Sequence, residues 1–342
     1  LDHHEATITL IANAIVDPSM TLDELAEEHA DAVRRLDAMA AALDAPAPST
    51  AATLSPITAP PAPSRTSEAD FLASVDAALE AIRAGEVFQI QVSQRFAVPT
   101  AADSFDVYRV LRTLNPSPYM YYLRMDGYDI VGCSPEALVT VRGDEAVLHP
   151  IAGTRKRGDT PERDAALAAE LVGDPKEQAE HVMLVDLARN DLGRVCAPGT
   201  VNVVEFGALE RFSHVWHIVS TVVGRVAEGK DAFDVLCASF PAGTLTGAPK
   251  VRAMELIEAL EPVRRGVYGG AIGYLDAAGD LDMAIAIRTA VMRDGVAYVQ
   301  AAGGIVADSV PALEEFESRN KARAVIQAIA VAGTITRLGA PS

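Results

Sequence analysis

The chain predicts an α+β fold built on a large antiparallel β-sheet core with helices packed outside it. Two observations carry this. Strand-like runs are joined by short turns, as in Ala137–Arg142 and Ala146–Ile151 across Gly143-Asp144-Glu145, and again through Asp276–Asp280 and Asp294-Gly295. Helical periodicity appears between such runs, at 176–193, 249–260 and 311–332.

Taken from the start, Leu1 to Val16 reads as strand-like, without the beginning a complete domain would have. Residues 22–44 form an amphipathic helix with a stripe of Leu22, Leu25, Ala26, Val33, Leu36, Ala40 and Leu43. The Pro, Ala, Ser and Thr of 45–65 predict an extended, mobile surface linker. Regular structure becomes dense from 66, with a helix over 67–84 and a strand over 86–96, and 66–335 is read as one domain. Gly269–Leu275, Met283–Met292 and Ala297–Gln300 are the later strands.

Composition narrows the function. With 342 residues the chain can bury a sizeable core, and a net charge of −18 argues against nucleic acid, whose phosphates need a basic face. No apolar run reaches the roughly 18 residues of a membrane span. Three widely spaced cysteines, Cys133, Cys196 and Cys237, fit reduced thiols in a cytoplasm. An anionic small ligand needs a local positive site or a cation.

Such a cation has a candidate cradle. Glu177 and Glu180 are three apart, as are Glu314 and Glu317, so each pair shares a helix face. Two carboxylate pairs suit a hard divalent ion. The competing reading of any one pair is a solvated helix surface, and acids in a first turn also suit the helix dipole. Lys321 continues the second face. On Met283–Val291, Arg288 shares one side with Ala284, Ala286 and Ala290, leaving room for a carboxylate against the guanidinium. Ala301-Ala302-Gly303-Gly304 lets backbone approach a ligand. Phe240–Lys250 runs a glycine-containing loop into a helix, but its spacing is not a nucleotide-binding Walker loop. His214 and His217 flank Trp216 and suit either a core or a site.

These stretches together resemble the chorismate-utilising enzymes, most closely their anthranilate synthase branch. The matching segments include GCSPEALV (132–139), HPIAGTRKRG (149–158), DPKEQAEHVMLVDLARNDLGRV (174–195), FPAGTLTGAPKVRAMELIEALEP (240–262) and RRGVYGGAIGYL (264–275). They run in order over 70–332. The resemblance implies a sandwich-like sheet core, Mg²⁺, and chorismate as substrate. It implies Glu180 and Glu317 as direct Mg²⁺ ligands, with Glu177 and Glu314 supporting the ion. Tyr268, Arg288, Gly304 and Lys321 would bind substrate carboxylates, with Thr244 nearby. Glu136 would be the general acid at the departing hydroxyl, and His217 would handle a proton in pyruvate elimination.

Water-using members carry a lysine where this chain has Gln89, so ammonia is the implied nucleophile, supplied by a glutamine amidotransferase partner. Ala152 stands where aminodeoxychorismate synthases have lysine. Asn115, Pro116, Ser117, Pro118, Tyr119 and Met120 resemble a tryptophan-feedback segment. Ala302 replaces a usual glycine, and roughly a third of the usual large component has no counterpart before Leu1. The activity implied is chorismate plus ammonia to anthranilate and pyruvate. The alternatives are an aminodeoxyisochorismate synthase that stops before elimination, and a non-catalytic chorismate- or partner-binding module.

Overall fold

The computed structural model describes residues 2, 4–46, 52–211 and 215–337. The chain divides into two compact units, Leu54–Ile335 and a smaller one of Leu1–Thr53 with Thr336–Ser342.

The larger unit holds two antiparallel sheets. The first has six strands in the order Gly247–Ala248, Gln89–Pro99, Val296–Ile305, Thr289–Arg293, Tyr128–Ser134 and Tyr119–Met125. The second runs Ala271–Leu275, Leu281–Ile285, Ala137–Arg142, Glu145–Leu148, Val215–Arg225 and Ile151–Lys156, with Asn202–Arg211 also paired to Val215–Arg225. The predicted α+β core of antiparallel sheet with outer helices is therefore present.

Each sheet is covered by helices whose apolar stripes it buries. Phe96, Val131 and Val299 of the first sheet meet Leu111 of the helix Ser104–Leu114 and Val325 and Ile329 of the helix Pro311–Ala332. Phe71 and Val75 of the helix Glu68–Arg83 and Ile257 of the helix Lys250–Leu260 pack with Ile90 and Ile305. In the second sheet, Val139, Val222 and Leu281 meet Leu192 of the helix Pro175–Gly193 and Val235 of the helix Ala232–Ser239. Asp174 caps Pro175–Gly193 through the amides of Lys176 and Glu177, which fixes the turn carrying the first glutamate pair.

Two crossings between the sheets define the site. Pro135-Glu136 joins Tyr128–Ser134 to Ala137–Arg142, and Ala286–Arg288 joins Leu281–Ile285 to Thr289–Arg293. They are stitched side by side: Ile285 N–H donates to Glu136 O at 3.0 Å and Cys133 N–H to Arg288 O at 3.2 Å. The continuous strand predicted over Met283–Met292 is thus wrong. Arg288 sits at φ 51°, in the left-handed region that bulky residues rarely adopt, and this ends one strand and starts the next in the other sheet.

Other expectations also change. Leu1–Val16 forms no strand among its described residues beyond an Asp2–Thr7 bridge, and Ile8, Ile11 and Ile15 are exposed. Apolar alternation makes a strand only where a neighbour accepts its hydrogen bonds. The helix Leu22–Asp44 forms with a Thr21–Glu24 capping box, but none of its residues is buried. Residues 47–51 of the predicted linker lie outside the described residues. The described part from Leu54 on is tied down: Ala59 N–H donates to Gln327 Oε1 at 2.9 Å and Arg65 N–H to Arg95 O at 2.7 Å. The helices Ser104–Leu114, Pro161–Gly173 and Ala232–Ser239 were not foreseen. Among the described residues no helix is long and apolar enough to cross a membrane.

Ile329 is almost completely buried against the first sheet. Ile329→Ala should lower unfolding free energy by about 2–5 kcal/mol, read from urea denaturation. A loss under about 1 kcal/mol would show that this helix is not part of the core.

Candidate active site

Glu136 occupies the first crossing. Thr244 Oγ1, from the 3₁₀ turn Gly243–Leu245, donates to Glu136 Oε1 at 2.8 Å. Burial raises the Glu136 pKa, against the lowering effects of Thr244, Lys321 and Arg288. Desolvation is the largest influence, and Thr244, Lys321 and Arg288 offset only part of it. Arg288, on the second crossing, is itself buried, and burial lowers its pKa from the usual guanidinium value. Burial also pushes the Tyr268 hydroxyl well above its ordinary pKa, so it remains a donor at neutral pH. An acid, a guanidinium and a phenol therefore gather at the seam between the sheets, and all three feel one another's charge.

The first glutamate pair lies on the helix Pro175–Gly193. Glu180 Oε1 accepts from Gln89 Nε2 at 3.0 Å. Its pKa is raised, by burial first, then by the charges of Glu177 and Glu317. Glu177 is held by Arg155 at 3.0 Å, and Arg155 also binds Asp174 at 2.8 Å. The second pair comes from Pro311–Ala332. Lys321 Nζ binds Glu317 at 2.6 Å and donates to Ala302 O at 3.1 Å. Glu314 is 9% exposed, and its Oε2 has no hydrogen-bond partner. Burial raises its pKa, opposed by Ser309, with Glu317 adding to the rise.

The glycines at 303 and 304 are needed for this approach. A Cβ on Gly303 would stand 2.7 Å from Glu314 Oε2, and one on Gly304 would stand 2.8 Å from Gln91 Nε2 and 3.3 Å from Gln89 Nε2. Ala302, by contrast, turns its methyl into the interior, at 2% exposure.

His217 Nδ1 lies 2.8 Å from Gly153 O. A carbonyl only accepts, so Nδ1 carries the proton and Nε2 is the basic nitrogen of the neutral ring. Burial lowers the His217 pKa, which favours that neutral form. His214 lies outside the described residues. Of the 115–120 segment, Tyr119 and Met120 open the outer strand of the first sheet, and residues 115–118 precede it. Asn115 Nδ2 donates to Cys133 Sγ at 3.4 Å, Tyr119–Met125 pairs with Tyr128–Ser134, and Met120 packs against the core.

Several residues near the site carry no signal in the sequence. His181 is fully buried beside Glu180, with Nε2 2.6 Å from Ser220 Oγ. Lys250 forms a buried pair with Asp191 at 2.7 Å, so it anchors the 240–250 loop internally. Arg265 reaches three parts of the site at once. The contacts of His181 with Ser220, of Lys250 with Asp191 and of Arg265 with Gln91 and Leu245 have no local sequence signature, because each joins positions remote in the chain.

A family of enzymes that bind chorismate matches residues 1–327 of this chain. The chain belongs to the chorismate-binding enzymes. It is 58% identical over 346 residues to anthranilate synthase component 1 of Mycobacterium tuberculosis (strain ATCC 25618 / H37Rv), covering 99% of this chain and 67% of that protein. The crystal structure of anthranilate synthase component I from Streptococcus pneumoniae TIGR4 superposes with a TM-score of 0.84 at 41% identity, covering 95% of this chain and 71% of that one. The menaquinone-specific isochorismate synthase of Escherichia coli shares the fold, with a TM-score of 0.74 at 22% identity over 88% of this chain and 69% of that one. Membership in the chorismate-binding family gives the carboxylates and cations at the seam a common context.

The raised pKa of Glu136 has a thermodynamic consequence. A carboxyl whose folded pKa exceeds its unfolded value of 4.5 contributes stability below that value, which is lost as pH rises through the folded pKa. Glu136→Gln should therefore gain melting temperature relative to the unmodified protein at pH 8, and the gain should shrink toward pH 4. Parallel melting profiles across this range would show that the carboxyl is not desolvated.

Proposed function

We propose that this chain is the chorismate-converting component of an anthranilate synthase, joining ammonia to chorismate and releasing anthranilate and pyruvate. The observation that carries the reading is Glu136: a desolvated acid, held by Thr244, close enough to Lys321 and Arg288 to feel both charges. The names of the relatives support the same activity.

A cation suits the glutamate pairs. Its donors are carboxylate oxygens, the hard ligands Mg²⁺ prefers, and the charges of Glu177 and Glu317 raise the pKa of Glu180. Among the described residues no three His, Cys, Asp or Glu side chains cluster as a metal site of their own. Mg²⁺ commonly takes one or two carboxylates and completes its shell with water and substrate. Glu180 and Glu317 would hold it, with Glu177 and Glu314 behind them. When bound, it would neutralise a substrate carboxylate and fix the ring.

The chain's own groups then have distinct tasks. Arg288 offers a fork to a carboxylate, Tyr268 a hydroxyl, and Gly304 a close backbone. Lys321 supplies a positive charge between Glu317 and Ala302. Glu136 gives its proton to the C4 hydroxyl, which leaves as water while nitrogen bonds to C2. Gln89 is oriented by Glu180: its amide donates to that carboxylate, leaving its buried Oε1 as the acceptor facing elsewhere, with no partner. An amide has no basic lone pair to deprotonate water, but it can accept from ammonia, which needs no such activation. In the second stage Nε2 of His217 is placed as the base that takes the C2 proton, as pyruvate leaves and the ring becomes aromatic.

Ammonia would come from a glutamine amidotransferase, the second component that the relatives' name implies. Asn115–Met120 would contribute to a tryptophan-inhibition site. A neutral, correctly protonated His217 favours completion to anthranilate over release of the amino intermediate.

Two variants test the roles. Glu136→Gln should lower kcat on chorismate by about two to four orders of magnitude, the usual scale for a general acid, with substrate binding retained by equilibrium dialysis. Equal loss of binding would make it a positioning group. Product chromatography of the unmodified protein should show ammonium-dependent anthranilate at alkaline pH and no isochorismate without ammonium. Isochorismate alone would move the chain to water chemistry.

A further inference from the structure

Arg265 lies on the loop after the helix Lys250–Leu260, and its side chain is 16% exposed. Its guanidinium spends every face on a part of the site. Nη2 donates to Gln91 O at 2.8 Å, two residues along the strand from Gln89. Nη1 donates to Leu245 O, the residue after Thr244. Its carbon lies 5.6 Å from the centre of the Tyr268 ring, in cation–π range. Glu261 holds it bidentately, at 2.9 Å from Nε and 2.6 Å from Nη2, and that carboxylate also accepts from Ser93 N–H at 2.7 Å.

Burial alone would lower the Arg265 pKa, but Glu261 outweighs it, so the charge is retained inside the protein. The strand of Gln89, the turn of Thr244 and the ring of Tyr268 otherwise come from three separate elements. We propose that Arg265 is the positioning residue that fixes the nucleophile side, the acid's holder and a carboxylate donor in one geometry. The proposal rests on the chorismate reading above. Lysine cannot replace this arginine: it has one donor centre where the site uses a planar fork and a stacked face.

The test compares Arg265→Lys with Arg157→Lys. Arg157 is also bound to an acid, Asp164 at 2.7 Å, and also stacked, 4.9 Å from the Trp216 ring, but outside the site. Arg265→Lys should lose about 10- to 100-fold in kcat/KM for chorismate, the scale of an ångström misplacement, while the Mg²⁺ concentration for half-activity changes less than about twofold. Its amide hydrogen exchange should rise by about 10-fold or more at 243–246 and 89–91 and stay unchanged at 151–156. Arg157→Lys should lower the melting temperature without either effect.

Unchanged exchange at 243–246, or a kinetic loss no larger than that of Arg157→Lys, would overturn the proposal. If Arg265→Lys does not fold, Glu261→Gln releases the same guanidinium, and an unchanged KM for chorismate there would overturn it equally. An unmodified protein with no chorismate turnover would sink the functional reading, while the exchange data would still decide the role of Arg265.

Discussion

The site depends on the chain crossing between its two sheets twice at one place. Glu136 and Arg288 sit on those crossings, and the bonds from Ile285 N–H to Glu136 O and from Cys133 N–H to Arg288 O keep them adjacent. Each crossing removes a residue from a sheet ladder and so frees its side chain from packing. The left-handed backbone at Arg288 costs about 1 kcal/mol or more and persists because both flanking strands are fully paired. Strain of this kind is typical where a side chain must point out of a regular layer.

Charge is the second constraint. Glu180 feels the charges of Glu177 and Glu317, and Glu314 that of Glu317, in a chain whose net charge is already −18. Arg155 relieves Glu177 and Lys321 relieves Glu317, but Glu180 and Glu314 remain desolvated with raised pKa values. Protein groups do not fully neutralise these carboxylates. A divalent cation would, and an anionic substrate bound with that cation would bring the local charge back toward balance. Lys321 belongs to the helix of Glu314 and Glu317, while Arg288 brings a buried positive charge from the second crossing.

Much of this was legible in the sequence, and the reasons are local. Glutamates three apart within helical periodicity announce a shared face, and the helices Pro175–Gly193 and Pro311–Ala332 present them so. Hairpin turns at Gly143 and Gly295 fixed the antiparallel pairing. Strand alternation misled at Met283–Val291, since period-two patterning cannot register a residue that leaves the sheet. The strand-like reading of Leu1–Val16 also failed, since among its described residues only Asp2 and Thr7 pair, and Ile8, Ile11 and Ile15 stay exposed. The contacts that organise the site, Arg265 to Gln91 and Leu245 or His181 to Ser220, join a side chain to a group 20 to 174 residues away. Nothing in the neighbouring sequence specifies such a bond, and a buried arginine in RRGVYGG looks like any surface arginine until the fold closes over it.

In the proposed function, Glu180 and Glu317 would hold Mg²⁺ together with the substrate. Calorimetric titration of Mg²⁺ into the protein, with and without chorismate, tests it most directly, because a shared ion makes the two affinities reciprocal. The account predicts that chorismate tightens Mg²⁺ binding by about 5- to 150-fold, and that Glu317→Gln abolishes the coupling. Equal Mg²⁺ affinity with and without chorismate would contradict it.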